Sequence, residues 1–463
     1  MAYQTVNPYT NEVVATFPDA TDAEVDRALD TAQAAFEEWR DTPLADRAAL
    51  LGRAAALLRE QSEEYARILT LEMGKTIAEA RAEVGLSADI LQWYADRGEG
   101  LLQPRVLEHS PESGKSAKIL KQPLGIIYTV EPWNFPYYQV VRVGAPQLMA
   151  GNTVVLKHAS NVPQSAAAME KLFHDAGARE GLLTNLYLTR DQSGRVIEDF
   201  RVRGVALTGS EGAGAVIASQ AGKALKKSTL ELGGNDAFIV LEDADIAKSA
   251  EWGAFGRYWN AGQVCCSSKR MIVLDGVYDE YLERFTAEVA TRRAGDPFDE
   301  DTVLAPLSSQ GAADDVKALI AEAVEHGATA TEVGEPVPST GAFVQPTILT
   351  GVTRDNPVFR KEIFGPVAMV LRAGSEDEAI EIANDTPYGL GGSVFTSDEA
   401  HGQELAERIT TGMVYINHPT GVKADLPFGG VQNAGYGREL LDLGLNEFVN
   451  EKLVVVSDID GVF

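Results

Sequence analysis

Apolar positions recur every three to four residues through most of the first hundred, after a short extended start, and this spacing predicts helices. Val25, Ala28, Leu29, Ala32 and Phe36 fall on one helical face, with Thr21 and Glu24 placed as a capping box in front of them. Thr42-Pro43 opens a further helix, with proline in its tolerated first-turn place. From about residue 117 the texture changes. "SAKILKQPLGIIYTV" reads as strands, "YYQVVRVGAPQLM" as a helix, "GNTVVLK" as a buried strand, "SAAAMEKLFHDAG" as a helix, and "VRGVALTGS" as a strand leading into the helix "GAVIASQAGKAL". A second alternating series starts at "DAFIVLEDADI" and continues through "SKRMIVL", "DEYLERFTAEVATRR", "KALIAEAVEHG" and "DEAIEIAND". Strands alternating with helices predict right-handed βαβ units, hence an α/β chain with two doubly wound domains. The tail "NEFVNEKLVVVSDIDG" ends in an apolar strand with no obvious partner nearby, which predicts pairing with another subunit in a homodimer or homotetramer.

The chain has 463 residues, enough for two or three structural units. Asp and Glu number 68 against 40 Lys and Arg, a formal net charge of -28 that argues against nucleic acid or anionic membrane as a partner. The acids are dispersed, as in "DATDAEVDRALDTAQAAFEEWRD", and predict a salt-adapted surface. No apolar run reaches the length of a membrane span, and "MAYQTVNPYTNEVV" lacks the basic-then-apolar character of a leader, so a cytoplasmic protein is expected.

Both cysteines sit side by side in "NAGQVCCSSK". Neighbouring cysteines cannot staple a fold, and none of the six histidines lies within a few residues of them, so no metal site is expected. Core filler and nucleophile remain as readings. Further along the chain, "GVALTG" runs into Gly209, Ser210 and a glycine-rich helix start, which is either a phosphate cradle or a plain tight turn. Asn134 in "EPWNFPYYQVVR" is an oxyanion donor or an Asx cap. Glu231 in "LELGGND" stands in an apolar strand, where burial raises a carboxyl toward general-base range, or where a salt bridge holds it.

Taken together, "PWNFP", "LTGS", "LELGGND", "NAGQVC", "EIFGPV" and "PFGG…GYGRE", in this order over nearly the whole chain, resemble the aldehyde dehydrogenase superfamily, and more narrowly its short succinate-semialdehyde dehydrogenase branch. The resemblance implies a cofactor-binding domain over 1–108 and 129–235 and a catalytic domain over 236–435. A small β oligomerisation element over 109–128 and 446–463 completes the implied plan. It implies Cys265 as nucleophile, Asn134 as oxyanion donor, Glu231 as the base that activates water, and Cys266 as a neighbour without a chemical role. Trp133, Lys157, Ser160, Gly209, Ser210, Glu362 and Phe364 fall at cofactor-binding positions, and Pro132 to Pro136 with Gly429-Gly430 would shape the site.

Many NAD-using members carry Glu where Ser160 stands here, and Ser160 with Lys157 could accept a 2′-phosphate, so NADP is expected ahead of NAD. Ser160 could instead start the next helix. Arg142, eight residues after Asn134, suits the far carboxylate of an acidic aldehyde, with Tyr138 beside it in the channel. Succinic semialdehyde is therefore the expected substrate, with a broader-range or CoA-acylating enzyme, or a non-catalytic binding protein, as the alternatives. Ala434 departs from the serine frequent in the family's "SGxGRE" ending.

Overall fold

In the computed structural model, which describes residues 3–109 and 114–460, two sheets carry the architecture. The first is six-stranded, in the order Gly435–Tyr436, Lys227–Glu231, Val202–Thr208, Ile126–Glu131, Thr153–His158 and Leu183–Asn185. All its neighbours run parallel except Gly435–Tyr436, which lies antiparallel to the strand ending at Glu231. The second, seven-stranded sheet contains Asp236–Val240, Ser268–Leu274, Val367–Ala373 and Gly392–Phe395, also mutually parallel.

In the six-stranded sheet the chain builds outward from Ile126–Glu131 to Leu183–Asn185, then crosses back to lay Val202–Thr208 on the other side. The strand order therefore reverses between Ile126–Glu131 and Val202–Thr208. Open α/β sheets bind ligands beyond the carboxyl ends of strands at such a reversal. Pro132-Trp133 and Gly209-Ser210 follow those two ends directly.

The amino-terminal helices form as their periodicity predicts. Asp22–Trp39 starts on a complete Thr21–Glu24 capping box and buries Val25, Leu29, Ala32 and Phe36. Leu44–Glu60 starts one residue later than expected, with Pro43 at the N-cap and no side-chain cap. Asp22–Trp39 lays Val25, Leu29 and Ala32 on the six-stranded sheet, while Leu44–Glu60 packs on Pro136–Ala150, a helix buried at all its positions, which explains why that segment shows no polar face.

The expected boundaries need correction in three places. Ile126–Tyr128 belong to the six-stranded sheet and not to the small β element, because their partners Thr153–Val155 continue the parallel ladder. Arg105–Val106, assigned with the first domain, pair instead with Ser116–Pro123. Gly435–Tyr436, at and just past the expected end of the catalytic domain, complete the other sheet by pairing with Leu230 and Glu231.

The apolar tail strand Val449–Val456 is not partnerless within the chain. It pairs antiparallel with Ser116–Pro123, some 330 residues earlier, which no local reading could see. Leu453, Val455 and Val456 on it remain exposed, and its far edge has no strand partner among the described residues. Parts of the expected element, at 110–113 and 461–463, lie outside the described residues.

Candidate active site

The helix Ile246–Tyr258 ends in a tight loop, Trp259–Gly262, that leads to the cysteine pair. Asn260, Ala261 and Gly262 all adopt the left-handed conformation, with φ of 50°, 53° and 75°. A non-glycine residue holds that conformation only where its surroundings over-determine it. Here the Asn260 side-chain amide donates to the carbonyls of Asn134 (3.1 Å) and Gln263 (3.3 Å), and the Gln263 side-chain carbonyl accepts the Ser308 N–H at 2.9 Å. Gly262 is required sterically, since a Cβ there would lie 2.2 Å from the Gly365 carbonyl oxygen. Arg257, fully buried, donates to the Gly262 carbonyl and to Ser267, bracing the loop from behind.

Cys265 emerges from this loop half-buried, while Cys266 is buried. Two cavities meet at Cys265. One, of about 370 Å³, is walled by Leu86, Phe135, Tyr138, Phe255, Trp259 and Phe428, among others. The other, of about 260 Å³, is lined by Pro132, Trp133, Asn134, Thr208, Gly209, Ser210, Gly233, Glu362 and Phe364 together with Cys265. Both cysteines are free thiols. The hydrogen bond from Cys266 holds the Cys265 thiol below its ordinary range against the opposing effect of burial, with the charges of Arg142 and Lys269 acting in the same direction. Cys266 itself is pushed well up by that bond and by burial.

Asn134 is 4 % exposed, and its amide is held from both ends. Its side-chain carbonyl accepts from Gln139 at 2.9 Å and its N–H₂ donates to the Gln263 carbonyl at 3.0 Å. An amide nitrogen carries two hydrogens, and the second has no acceptor among the described residues. A buried N–H left free beside a cavity is the kind of donor that suits an oxyanion.

Glu231 ends its strand 2 % exposed, and neither carboxylate oxygen has a hydrogen-bond partner among the described residues. Burial, then the neighbouring Glu439 carboxyl, raises it well above the ordinary carboxylate range. The salt-bridged structural reading of Glu231 is thereby excluded. Its neighbours Leu232 and Gly233 line the second cavity, while its own carboxyl sits behind that wall.

Around the second cavity, Glu362 accepts the Gly234 N–H at 3.1 Å, and Phe364 meets Trp133 edge-on at 5.7 Å. Ser210 is the N-cap of the helix Glu211–Lys223, its hydroxyl accepting from Ala213 N–H, so the helix's remaining N–H groups point at the cavity mouth. A Cβ added at Gly212 would meet nothing within 4 Å, which leaves the helix start open to a ligand. The open helix start and the Glu362 carboxylate fit the pyrophosphate and a ribose of a dinucleotide.

Lys157 and Ser160 lie outside that cavity, at and just past the carboxyl end of Thr153–His158, one strand over. Ser160 does not cap the following helix, whose N-cap is Val162, so the plain helix-start reading fails. Lys157 is held below its ordinary range by burial and then by the positive charge of Arg190. Arg190 was not foreseen. It occupies the first position of the helix Arg190–Glu198, next to the capping Thr189, where the helix dipole disfavours a cation. That misfit of charge and helix end was the available signal.

Arg142 requires a correction. It is 1 % exposed, lines neither cavity, and forms a buried ion pair with Glu439. It also donates to the Tyr138 hydroxyl at 3.1 Å and to Thr208 at 2.9 Å, with its guanidinium over the rings of Tyr138 and Phe428. A buried guanidinium needs a counter-charge, and the "GRE" segment supplies one from across the sequence. Tyr138, not Arg142, faces the aromatic-walled cavity. Ala434 is buried, and a Cβ added at Gly430 would come within 2.6 Å of the Ala434 Cβ, so the wall requires glycine at 430.

The chain was compared with known proteins. A model of the aldehyde dehydrogenase family matches residues 1–454. The chain is 49 % identical over 452 residues to the succinate-semialdehyde dehydrogenase (NADP+) of Deinococcus radiodurans, spanning 98 % of this chain and 94 % of that protein. It is 41 % identical over 458 residues to the enzyme of the same name from Mycobacterium avium, spanning 99 % and 97 %. Among solved structures, succinic semialdehyde dehydrogenase from Streptococcus pyogenes in complex with NADP+ superposes with a TM-score of 0.96 at 50 % identity, covering 99 % of this chain and all of that one (100 %).

Proposed function

The chain belongs to the aldehyde dehydrogenase family, and on that premise we propose that it oxidises succinic semialdehyde to succinate with NADP, using Cys265 as nucleophile. The observation that carries the reading is the place of Cys265, where an aromatic-walled channel meets the cavity lined by Gly209, Ser210, Glu362 and Phe364. The names of the relatives in Deinococcus, Mycobacterium and Streptococcus support the substrate and the cofactor.

The oxidised nicotinamide supplies a hydride acceptor when bound. Glu362 and Phe364 would hold its ribose and ring, Gly209 and Ser210 with the helix start its pyrophosphate, and Lys157, Ser160 and Arg190 its 2′-phosphate. The Cys265 sulfur bonds to the aldehyde carbon, and the carbonyl oxygen keeps the electron pair. The free Asn134 N–H and the Cys265 backbone N–H donate to that oxyanion. Loss of hydride from the carbon leaves a thioester. Glu231 takes a proton from water, reaching the cavity by side-chain rotation or through one further water, and the hydroxide displaces the thiolate to release the acid.

The far carboxylate of the substrate meets Tyr138. Because Arg142 donates to the Tyr138 oxygen, the phenol's own hydrogen is left to point into the channel. Arg142 acts through this hydroxyl.

Three further properties belong to the same reading. The open edge and exposed apolar face of Val449–Val456 support a homodimer or homotetramer, testable by light scattering. The free thiols suit a cytoplasmic protein. The acidic, dispersed charge supports salt adaptation, and a thermal midpoint that falls as molar KCl is added would sink it.

Initial rates of nicotinamide reduction with succinic semialdehyde, NADP against NAD, test the central claim. Oxidation of an aliphatic aldehyde with no turnover of succinic semialdehyde would discard the substrate and keep the cysteine chemistry. Product that depends on added coenzyme A would replace water by thiol as the acyl acceptor.

A further inference from the structure

Lys269 stands four residues after Cys265 and is 1 % exposed. A lysine ammonium has three N–H donors, and all three have acceptors here. The Val264 carbonyl lies at 2.8 Å, the Cys265 carbonyl at 2.5 Å and the Glu362 carboxylate at 3.1 Å. Phe364 lies over the same ammonium, 6.0 Å from its ring centre. One buried cation therefore touches the backbone that carries the nucleophile and the carboxylate beside the second cavity. The acidic groups around it are Glu362 and Asp236, both thiols stand nearby, and Arg270 is the adjacent cation.

We propose that Lys269 is a positioning residue for hydride transfer, fixing the distance between the Cys265 backbone and Glu362 so that the reacting carbon and the hydride acceptor share one frame. This rests on the reading above, in which Cys265 is the nucleophile and Glu362 holds the nicotinamide ribose. The physical argument is geometric. A displacement of about 1 Å at a reacting centre costs about a hundredfold in rate. Glu362 is half-buried, and among the described residues its carboxylate has the Gly234 N–H as its only other hydrogen-bond donor. Without Lys269 it could swing, and the Cys265 carbonyl would lose its hydrogen-bond donor, leaving the Val264 carbonyl with the Ser267 N–H alone.

The test compares the full-length enzyme with Lys269→Met, Lys269→Arg, Glu362→Gln and the Lys269→Met/Glu362→Gln double variant. For each, kcat, the KM for NADP, and the kinetic isotope effect with aldehyde deuterated at C1 are measured. Lys269→Met is expected to raise the KM for NADP about tenfold and lower kcat about a hundredfold. The isotope effect should rise, because hydride transfer becomes the slow step, and Lys269→Arg should restore most of the kcat. The double variant should be no worse than the poorer single one, since both cut the same link.

An unchanged KM for NADP and isotope effect in Lys269→Met would overturn the proposal, as would single-variant losses that multiply in the double. Should Lys269→Met fail to unfold cooperatively, Lys269→Gln, which removes the charge but keeps donors, carries the same measurements. Failure of the underlying reading shows separately, as a Cys265→Ala enzyme that still turns over.

Discussion

The channel on one side of Cys265 is walled largely by Leu86, Phe135, Tyr138, Phe255, Trp259 and Phe428, whereas the cavity on the other adds two amides, two hydroxyls, a carboxylate and glycines to the rings of Trp133 and Phe364. Each has a cation, and in both cases the cation stands behind the wall. Arg142 and Lys269 are each 1 % exposed and act through the side chains in front of them, Arg142 through the Tyr138 hydroxyl on the aromatic side and the Thr208 hydroxyl on the other, Lys269 through the Glu362 carboxylate. A bare cation in either wall would bind any anion that entered. A charge that acts through an oriented oxygen favours a ligand in one place and one direction, because the donor geometry and not the charge alone decides the fit.

The largest expected effect falls where the two cavities meet. Cys265→Ala removes the thiol that both cavities share, and kcat should fall by about 10⁴-fold or more, as when the nucleophile of a catalytic set is deleted. Cys266→Ala should keep activity within about tenfold while the pH midpoint of Cys265 alkylation by iodoacetamide moves up, since a thiolate loses its hydrogen-bond donor. If Cys266→Ala were the dead variant and Cys265→Ala the active one, the site would have to be rebuilt around the other sulfur.

Next is Glu231→Gln. Removing a general base costs about 10² to 10⁴ in rate, and here the loss should fall after hydride transfer, leaving a rapid first burst of reduced cofactor followed by a slow steady rate. The pH dependence has a definite sign. Glu231 must be ionised to act, and burial raises it well above the ordinary carboxylate range, so kcat should climb with pH along a limb displaced toward neutrality. A limb at ordinary carboxylate pH would mean that another group is the base.

On the polar side, Ser160→Glu places a carboxylate beside Lys157 and Arg190, and the preference for NADP over NAD should fall by about tenfold to a hundredfold through repulsion of the 2′-phosphate. On the aromatic side, Tyr138→Phe removes one hydroxyl, which is worth about tenfold in KM for succinic semialdehyde if that hydrogen bond is to a charged group. Hexanal, with no carboxylate, should be oxidised as before. Equal loss for both aldehydes would make Tyr138 a packing residue only.

The smallest effect is on stability. Glu131, 2 % exposed beside the Arg142 network, has its carboxyl pushed up to about 8, first by burial and then by Glu439. A carboxyl raised in the folded state binds more protons folded than unfolded, so its contribution to stability is complete below the ordinary carboxylate pKa and is lost as pH rises toward 8. Glu131→Gln, which still accepts from Thr129, should flatten the decline of the thermal midpoint between about pH 5 and 8 by a few degrees. An unchanged slope would show that Glu131 is ionised in the fold.

Local pattern made much of this legible. Helical and strand periodicities placed most elements, because burial on one face imposes a repeat that the chain itself displays. Asn134 and Glu231 stand out as candidates because a strand end and an apolar strand frame them, whereas Cys265 is singled out only by the resemblance of "NAGQVC", its own neighbourhood leaving core filler and nucleophile open. What failed were pairings across long sequence separations. The partner of Val449–Val456 is Ser116–Pro123, and the counter-charge of Arg142 is Glu439. Helical spacing put Arg142 two turns from Asn134, near the site, but did not reveal which neighbour would take up its charge.

The sequence by itself determined the alternation of strands and helices and the acidic, thiol-poor character of the chain, since these follow from period and composition. The tertiary structure alone decided which charges meet the ligand cavities and which lie behind them. A side chain's charge is written in the sequence, but its ionic partner, burial and direction are set by residues hundreds of positions away. Buried electrostatics depends on those three-dimensional neighbours, not on the chain's order.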